Sequence, residues 1–246
     1  MLIEICADRL NTALAAEQMG AGRLELCAAL TEGGLTPPQS LIEAVCSQLH
    51  IPVNVMIRPR SGDFLYDDAE FRLMEQDIRN AKKAGASGVV FGLLLPDGSV
   101  DKDRCRMLMV LAAPLKVTFH RAFDMTSDPF LSLEEIISLG ADTLLTSGHR
   151  QTAEDGLELI RELVKRASGR ITIMAGGGIN STNAPLLAEA GVRAFHFTAR
   201  RMRSGHMKYR NEALDTLGST VVPGEYELAE PDQDKVSDIL QSLGIQ

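Results

Sequence analysis

Residues 69–95 read AEFRLMEQDIRNAKKAGASGVVFGLLL, and the fold turns on how that stretch is parsed. Phe71, Met74, Ile78 and Ala81 fall three and four residues apart, the spacing that lines one face of a helix. Gly85 follows the last periodic residue, where a chain leaving a helix through left-handed backbone favours glycine. The run 88–95 is short and apolar, with β-branched Val89 and Val90, as suits a strand covered on both faces. The unit is helix, glycine stop, strand.

Outward from this unit the same pattern recurs. Runs at 2–6, 23–27, 52–57, 88–95, 115–120, 143–146, 171–175 and 194–198 read as eight strands, starting about 27 residues apart, close to the length of a parallel βαβ crossover. Gly20, Gly140 and Gly191 close helical stretches ahead of strands, as Gly85 does. Asp128-Pro129 supplies a capping carboxylate and a proline suited to the first helical position, and Pro37-Pro38 reads similarly. A doubly wound sheet would carry a glycine fingerprint after its first strand, where this chain has Ala7-Asp8-Arg9. The pattern therefore predicts a single (β/α)8 TIM-barrel domain over 1–246. Residues 201–231 are too long and too polar for a plain loop and are a functional or self-association candidate, while an amphipathic helix over 233–243 closes the barrel.

Composition narrows the function. Lys and Arg total 25 against 33 Asp and Glu, a net charge of −8, and aromatics are 4% with no Trp. Such a surface repels nucleic-acid phosphates and anionic lipid and lacks stacking platforms, so neither partner is expected. No apolar run is long enough to span a membrane, and Glu4 and Asp8 stand where a secretory signal needs basic and then apolar residues. The expectation is a cytoplasmic protein. Cys6, Cys27, Cys46 and Cys105 form no CxxC or Cys/His cluster and read as free thiols.

In such a barrel, chemistry gathers at the C-terminal strand ends. Cys6 and Cys27 end adjacent strands, each two residues after a glutamate, Glu4 and Glu25, so one strand parity puts glutamate and thiol on one face. Two thiols that close suit Cu(I) better than Zn(II), although buried cysteines also serve simply to fill space. Arg58, Arg60 and Asp63 follow strand three, and His120, Arg121 and Asp124 follow strand five. Cations gathered in an acidic chain point to an anion site, with His120 beside Asp124 or Glu25 for proton transfer; mutual pairing of Arg with Glu explains them equally well. Gly177, in the run Gly176-Gly177-Gly178, fits either a phosphate-binding loop or a tight turn, and His196 lies on strand eight. Met56, Met174 and Phe119 read as core, and His50, His149 and His206 as solvated.

At several of these segments the chain resembles the CutC family of copper homeostasis proteins. The stretches are Arg23-Leu24-Glu25-Leu26-Cys27, Glu32-Gly33-Gly34-Leu35-Thr36-Pro37, Ile57-Arg58-Pro59-Arg60 with Gly62-Asp63-Phe64, VTFHRAFD over 117–124, Leu145-Thr146-Ser147-Gly148, Gly176-Gly177-Gly178-Ile179 and Tyr209-Arg210-Asn211. Ser61 departs from the family's usual glycine, and Phe197-Thr198-Ala199 from its commoner small-residue run. The resemblance implies a cytoplasmic, homo-oligomeric barrel, with a dimer favoured, that takes part in copper handling and holds Cu(I) at Cys6 and Cys27. The alternative is an enzyme acting on a small phosphorylated or carboxylated metabolite, with arginines as anion binders and His120 as acid or base.

Overall fold

The eight expected strands close into a parallel barrel in a computed structural model that describes residues 1–213, 217 and 224–245. They are β1 (Leu2–Ala7), β2 (Arg23–Leu26), β3 (Val53–Met56), β4 (Gly88–Phe91), β5 (Lys116–Phe119), β6 (Thr143–Thr146), β7 (Thr172–Gly176) and β8 (Ala194–Thr198). Neighbours in sequence are neighbours in the barrel, and β8 returns to pair with β1. The crossovers carry α1 (Leu10–Gln18), α2 (Gln39–Gln48), α3 (Asp68–Lys83), α4 (Lys102–Ala112), α5 (Pro129–Leu139), α6 (Leu157–Ala167) and α7 (Ala184–Glu189). The architecture is a (β/α)8 TIM barrel. No described helix is long and apolar enough to cross a membrane.

Local chemistry explains the boundaries. Asp67 accepts hydrogen bonds from the Ala69 and Glu70 amides while Glu70 accepts from the Asp67 amide, a reciprocal cap that starts α3. Its buried residues are Phe71, Met74, Ile78 and Ala81, the stripe expected from the spacing. Gly85, at φ +88°, and Gly140, at φ +87°, turn the chain out of α3 and α5 through a region that a side chain would strain. Asp128 caps α5 by accepting from the Phe130 and Leu131 amides, ahead of Pro129.

After β8 the chain forms an antiparallel pair, β9 (Arg200–Ser204) and β10 (Glu227–Pro231), then α8 (Gln233–Ser242). Part of the segment 201–231, namely 214–216 and 218–223, lies outside the described residues. The described part is a β-ribbon and not only loop. β9 reads Arg-Arg-Met-Arg-Ser, with no apolar alternation to mark it as a strand.

Alternation along the barrel strands separates two cores. Ile3, Ile5 and Ala7 of β1 join the large apolar layer between barrel and helices. Leu2, Glu4 and Cys6 take the opposite face. There Leu2 packs with Leu145, Met174 and Ala194 at the N-terminal end, and Cys6 with Cys27, Met56 and Val90 at the C-terminal end. Between these apolar layers the barrel interior is ionisable.

Candidate functional site

Register sets that interior. On β1, Glu4 lies across from Arg23 of β2 and from His196 of β8, and Cys6 lies across from Glu25 and Thr198. Cys27 follows β2, its amide donating to the Ala7 carbonyl. The two cysteines are thus staggered along the barrel rather than level, because Cys6 pairs with Glu25. Their side chains nevertheless meet, with Sγ atoms 3.2 Å apart. Glu25 Oε1 lies 3.5 Å from Cys6 Sγ and 3.3 Å from Cys27 Sγ, so each thiol can donate to it. Glu25 Oε2 is buried without a partner.

Below this triangle, Glu4 is fully buried between two cations. Arg23 Nε donates to Glu4 Oε2, and His196 Nδ1 lies 2.8 Å from Glu4 Oε1. The other ring nitrogen, Nε2, is 3.9 Å from Glu25 Oε1. Burial opposes charge on His196, but Glu25, contact with Cys6, and Glu4 together hold the imidazole protonated well above its ordinary range. Burial also opposes the charge on Glu4, and His196 and Arg23 outweigh it, leaving that carboxyl below the usual carboxylate range. Glu25 goes the other way: burial, aided by Glu4, pushes it up against the pull of His196. Contact with Cys6 and then burial push the Cys27 thiol well above the ordinary cysteine range, so it stays protonated at neutral pH.

Above the triangle opens a cavity of about 320 Å³. Of the residues expected at the site, Cys6, Glu25, Arg58, His120, Arg121, Gly177 and His196 line it. Cys27, fully buried, is not among the lining residues. Three more expected residues, Arg60, Asp63 and Asp124, do not reach it. Arg60 is bound by Glu70 at 2.5 Å and Asp63 at 2.9 Å and lies over the Tyr66 ring, which takes both Arg60 and Asp63 into a surface network. Asp124 is a support: it accepts from Arg121 Nε at 2.7 Å and from the Ser147 amide and hydroxyl and the Thr146 hydroxyl, tying the β6 loop to the turn after β5.

Both expected histidines line the cavity, but they differ in their partners. Among the described residues His120 has no carboxylate partner; Nδ1 accepts from the Ala122 amide at 3.2 Å, and Nε2 is buried without a partner. Burial, with Arg58 nearby, pushes its pKa down to about 3, so the ring is neutral and carries its proton on Nε2. A ring so hard to protonate is a poor general base near neutral pH. His196 holds the carboxylates instead, because it shares a register level with Glu4. His149, expected in solvent, packs edge-on against Phe123 with ring centroids 5.1 Å apart. Lys235 of α8 also lines the cavity. The amphipathic spacing over 233–243 marks only a closing helix and carries no signal for Lys235 as a cavity residue.

Cys6, Glu25 and His196 each offer a donor atom within 4.8 Å of the others, and Cys27 adds a second sulfur beside Cys6. The softest donors present are the two sulfurs, a set that suits Cu(I); the carboxylate oxygen and ring nitrogen are harder.

Comparison with known proteins follows the same lines. The model of the CutC family matches residues 1–201, ending at β9. The copper homeostasis protein cutC homolog of Mus musculus is 48% identical over 236 residues, covering 96% of this chain and 86% of that protein. A CutC family protein of Parabacteroides distasonis is 47% identical over 237 residues, covering 96% of this chain and 97% of its own. A crystal structure of a CutC protein from Streptococcus agalactiae superposes with a TM-score of 0.76 at 34% identity, covering 80% of this chain and 97% of that one.

Proposed function

The chain belongs to the CutC family, and from that premise we propose that it binds Cu(I) through Cys6 and Cys27 and takes part in cytoplasmic copper handling. The observation that carries the reading is the 3.2 Å approach of two thiols inside the barrel. Cu(I) accepts low coordination by soft thiolates, whereas a structural Zn(II) wants four ligands. Binding requires both thiols to lose their protons, so the complex carries one negative charge. The His196 imidazolium lies close to where that charge forms, within 4.8 Å of a donor atom of Cys6. Glu25 accepts from both thiols in the metal-free protein and so orients them toward one point. A reducing cytoplasm keeps such a pair from closing into a disulfide. The same reading takes residues 1–246 as one domain that self-associates as a homodimer, which sedimentation or light scattering would measure directly.

The test is an anaerobic competition between the protein and a Cu(I) chelator of known affinity. One equivalent of Cu(I) held tightly by the wild type, and released in a folded Cys6→Ser/Cys27→Ser variant, supports the reading. Unchanged affinity in that variant removes it.

A further inference from the structure

We propose that the cavity above Cys6 is a binding site for a small organic oxyanion, a carboxylate or phosphate ester, held by Arg58, Arg121 and Lys235. The inference does not depend on copper binding, because these residues are not sulfur donors and Cys27 does not line the cavity.

Charge is the first argument. The chain as a whole carries −8, yet the described lining of this cavity includes three permanent cations and one carboxylate, Glu25; Asp124, outside the lining, pairs with Arg121, while Arg58 and Lys235 have no carboxylate partner among the described residues. A cationic pocket in an acidic protein concentrates the field of its own cations where low-dielectric walls exclude screening water.

Arg58 is the second. It is 7% exposed and pairs with no carboxylate among the described residues. Its terminal nitrogens donate to the carbonyls of Glu32, Gly34 and Gly62, at 2.9, 3.2 and 3.0 Å, while Nε is buried without a partner. Carbonyl dipoles fix a guanidinium in place without neutralising it, so its charge is left for something else. Phe64 lies beneath it at 5.0 Å and also touches His120, whose Nε2–H is the second buried polar group lacking a partner on this wall. A cation and a neutral donor side by side are what an oxyanion bound to a carbon skeleton requires.

The opposite wall supplies the third. Asp124 and Ser147 hold Arg121 by Nε and one terminal nitrogen, at 2.7 and 2.6 Å. Gly177 borders the other terminal nitrogen, and its φ of +96° is one that a side chain would strain. Lys235 comes from α8, beyond the part of the chain that matches the family model, and donates to the Thr198 carbonyl at 2.8 Å. The segment after the barrel thus completes the rim.

The experiment is isothermal titration of the metal-free full-length chain with inorganic phosphate and with malonate, at low ionic strength. The variants are Arg58→Lys and Lys235→Met, with Arg106→Met as a control outside the cavity. Saturable binding of either probe that weakens at least tenfold in Lys235→Met and in folded Arg58→Lys, and is unchanged in Arg106→Met, supports the site. A preference for phosphate identifies a phosphate ester, and a preference for malonate a carboxylate. Absence of saturable binding by both probes, or equal binding in all variants, overturns it. Should Arg58→Lys fail to fold, Lys235→Met alone decides.

Discussion

Replacing His120 by Asn should remove a specific part of the protein's sensitivity to acid. The ring is 4% exposed, and its pKa lies near 3 against an ordinary 6.5. Above 6.5 both folded and unfolded chains hold it neutral, and its contribution to stability is complete. As pH falls through 6.5 the unfolded chain takes up a proton that the folded chain refuses, and stability drains away until about pH 3. Between pH 7 and 5 the difference amounts to about 2 kcal/mol, and it depends little on the folded value as long as that lies well below 5. Asn keeps an acceptor for the Ala122 amide and does not titrate. Urea unfolding at the two pH values, in wild type and His120→Asn, isolates the term because other titrations cancel in the difference. Wild type should lose about 2 kcal/mol more than the variant. Equal losses would refute the neutral, desolvated ring and with it the assignment of His120 as a donor on the cavity wall.

Two further outcomes follow from the barrel interior and its loops. Glu4→Gln removes the anion shared by Arg23 and His196 and leaves Arg23 largely buried without its carboxylate, which should cost about 3–5 kcal/mol in urea unfolding at pH 7; a cost below 1 kcal/mol would mean the network is not as dry as its burial indicates. Gly156→Ala puts a Cβ inside contact distance of the Ser147 carbonyl, where backbone has to move, so a loss of about 1–3 kcal/mol and a melting temperature lower by several degrees are expected in calorimetry, and a neutral effect would show the β6 loop to be free to shift.

Much of the fold was legible because most barrel strand runs are apolar and most helices end near a glycine or begin on a cap, α2 doing neither. Phe71, Met74, Ile78 and Ala81 report their face by spacing alone, and Asp128-Pro129 its cap. The parity that puts Glu4 with Cys6, and Glu25 with Cys27, also follows from a strand's two-residue period. What spacing cannot supply is register. Nothing local indicates that Cys6 stands opposite Glu25, or that Glu4 and His196, 192 residues apart, share a level; both depend on how far the barrel shears as it closes. The same gap misdirected the histidines. His120 beside Asp124 in sequence invites pairing, but the turn 121–125 spends Asp124 on Ser147 and Arg121. Arg60 resembles Arg58 in the sequence Arg58-Pro59-Arg60, yet their side chains take different partners, and only Arg58 reaches the cavity.

Cys6 and Cys27 are the proposed donors for Cu(I), their sulfurs 3.2 Å apart. X-ray absorption at the copper edge, on protein loaded anaerobically with one equivalent of Cu(I), reads those donors directly. A first shell of two sulfurs at one distance, replaced by lighter scatterers or lost with the metal in Cys6→Ser/Cys27→Ser, is the predicted result. A shell dominated by nitrogen or oxygen, or a sulfur shell that survives the double substitution, would contradict it.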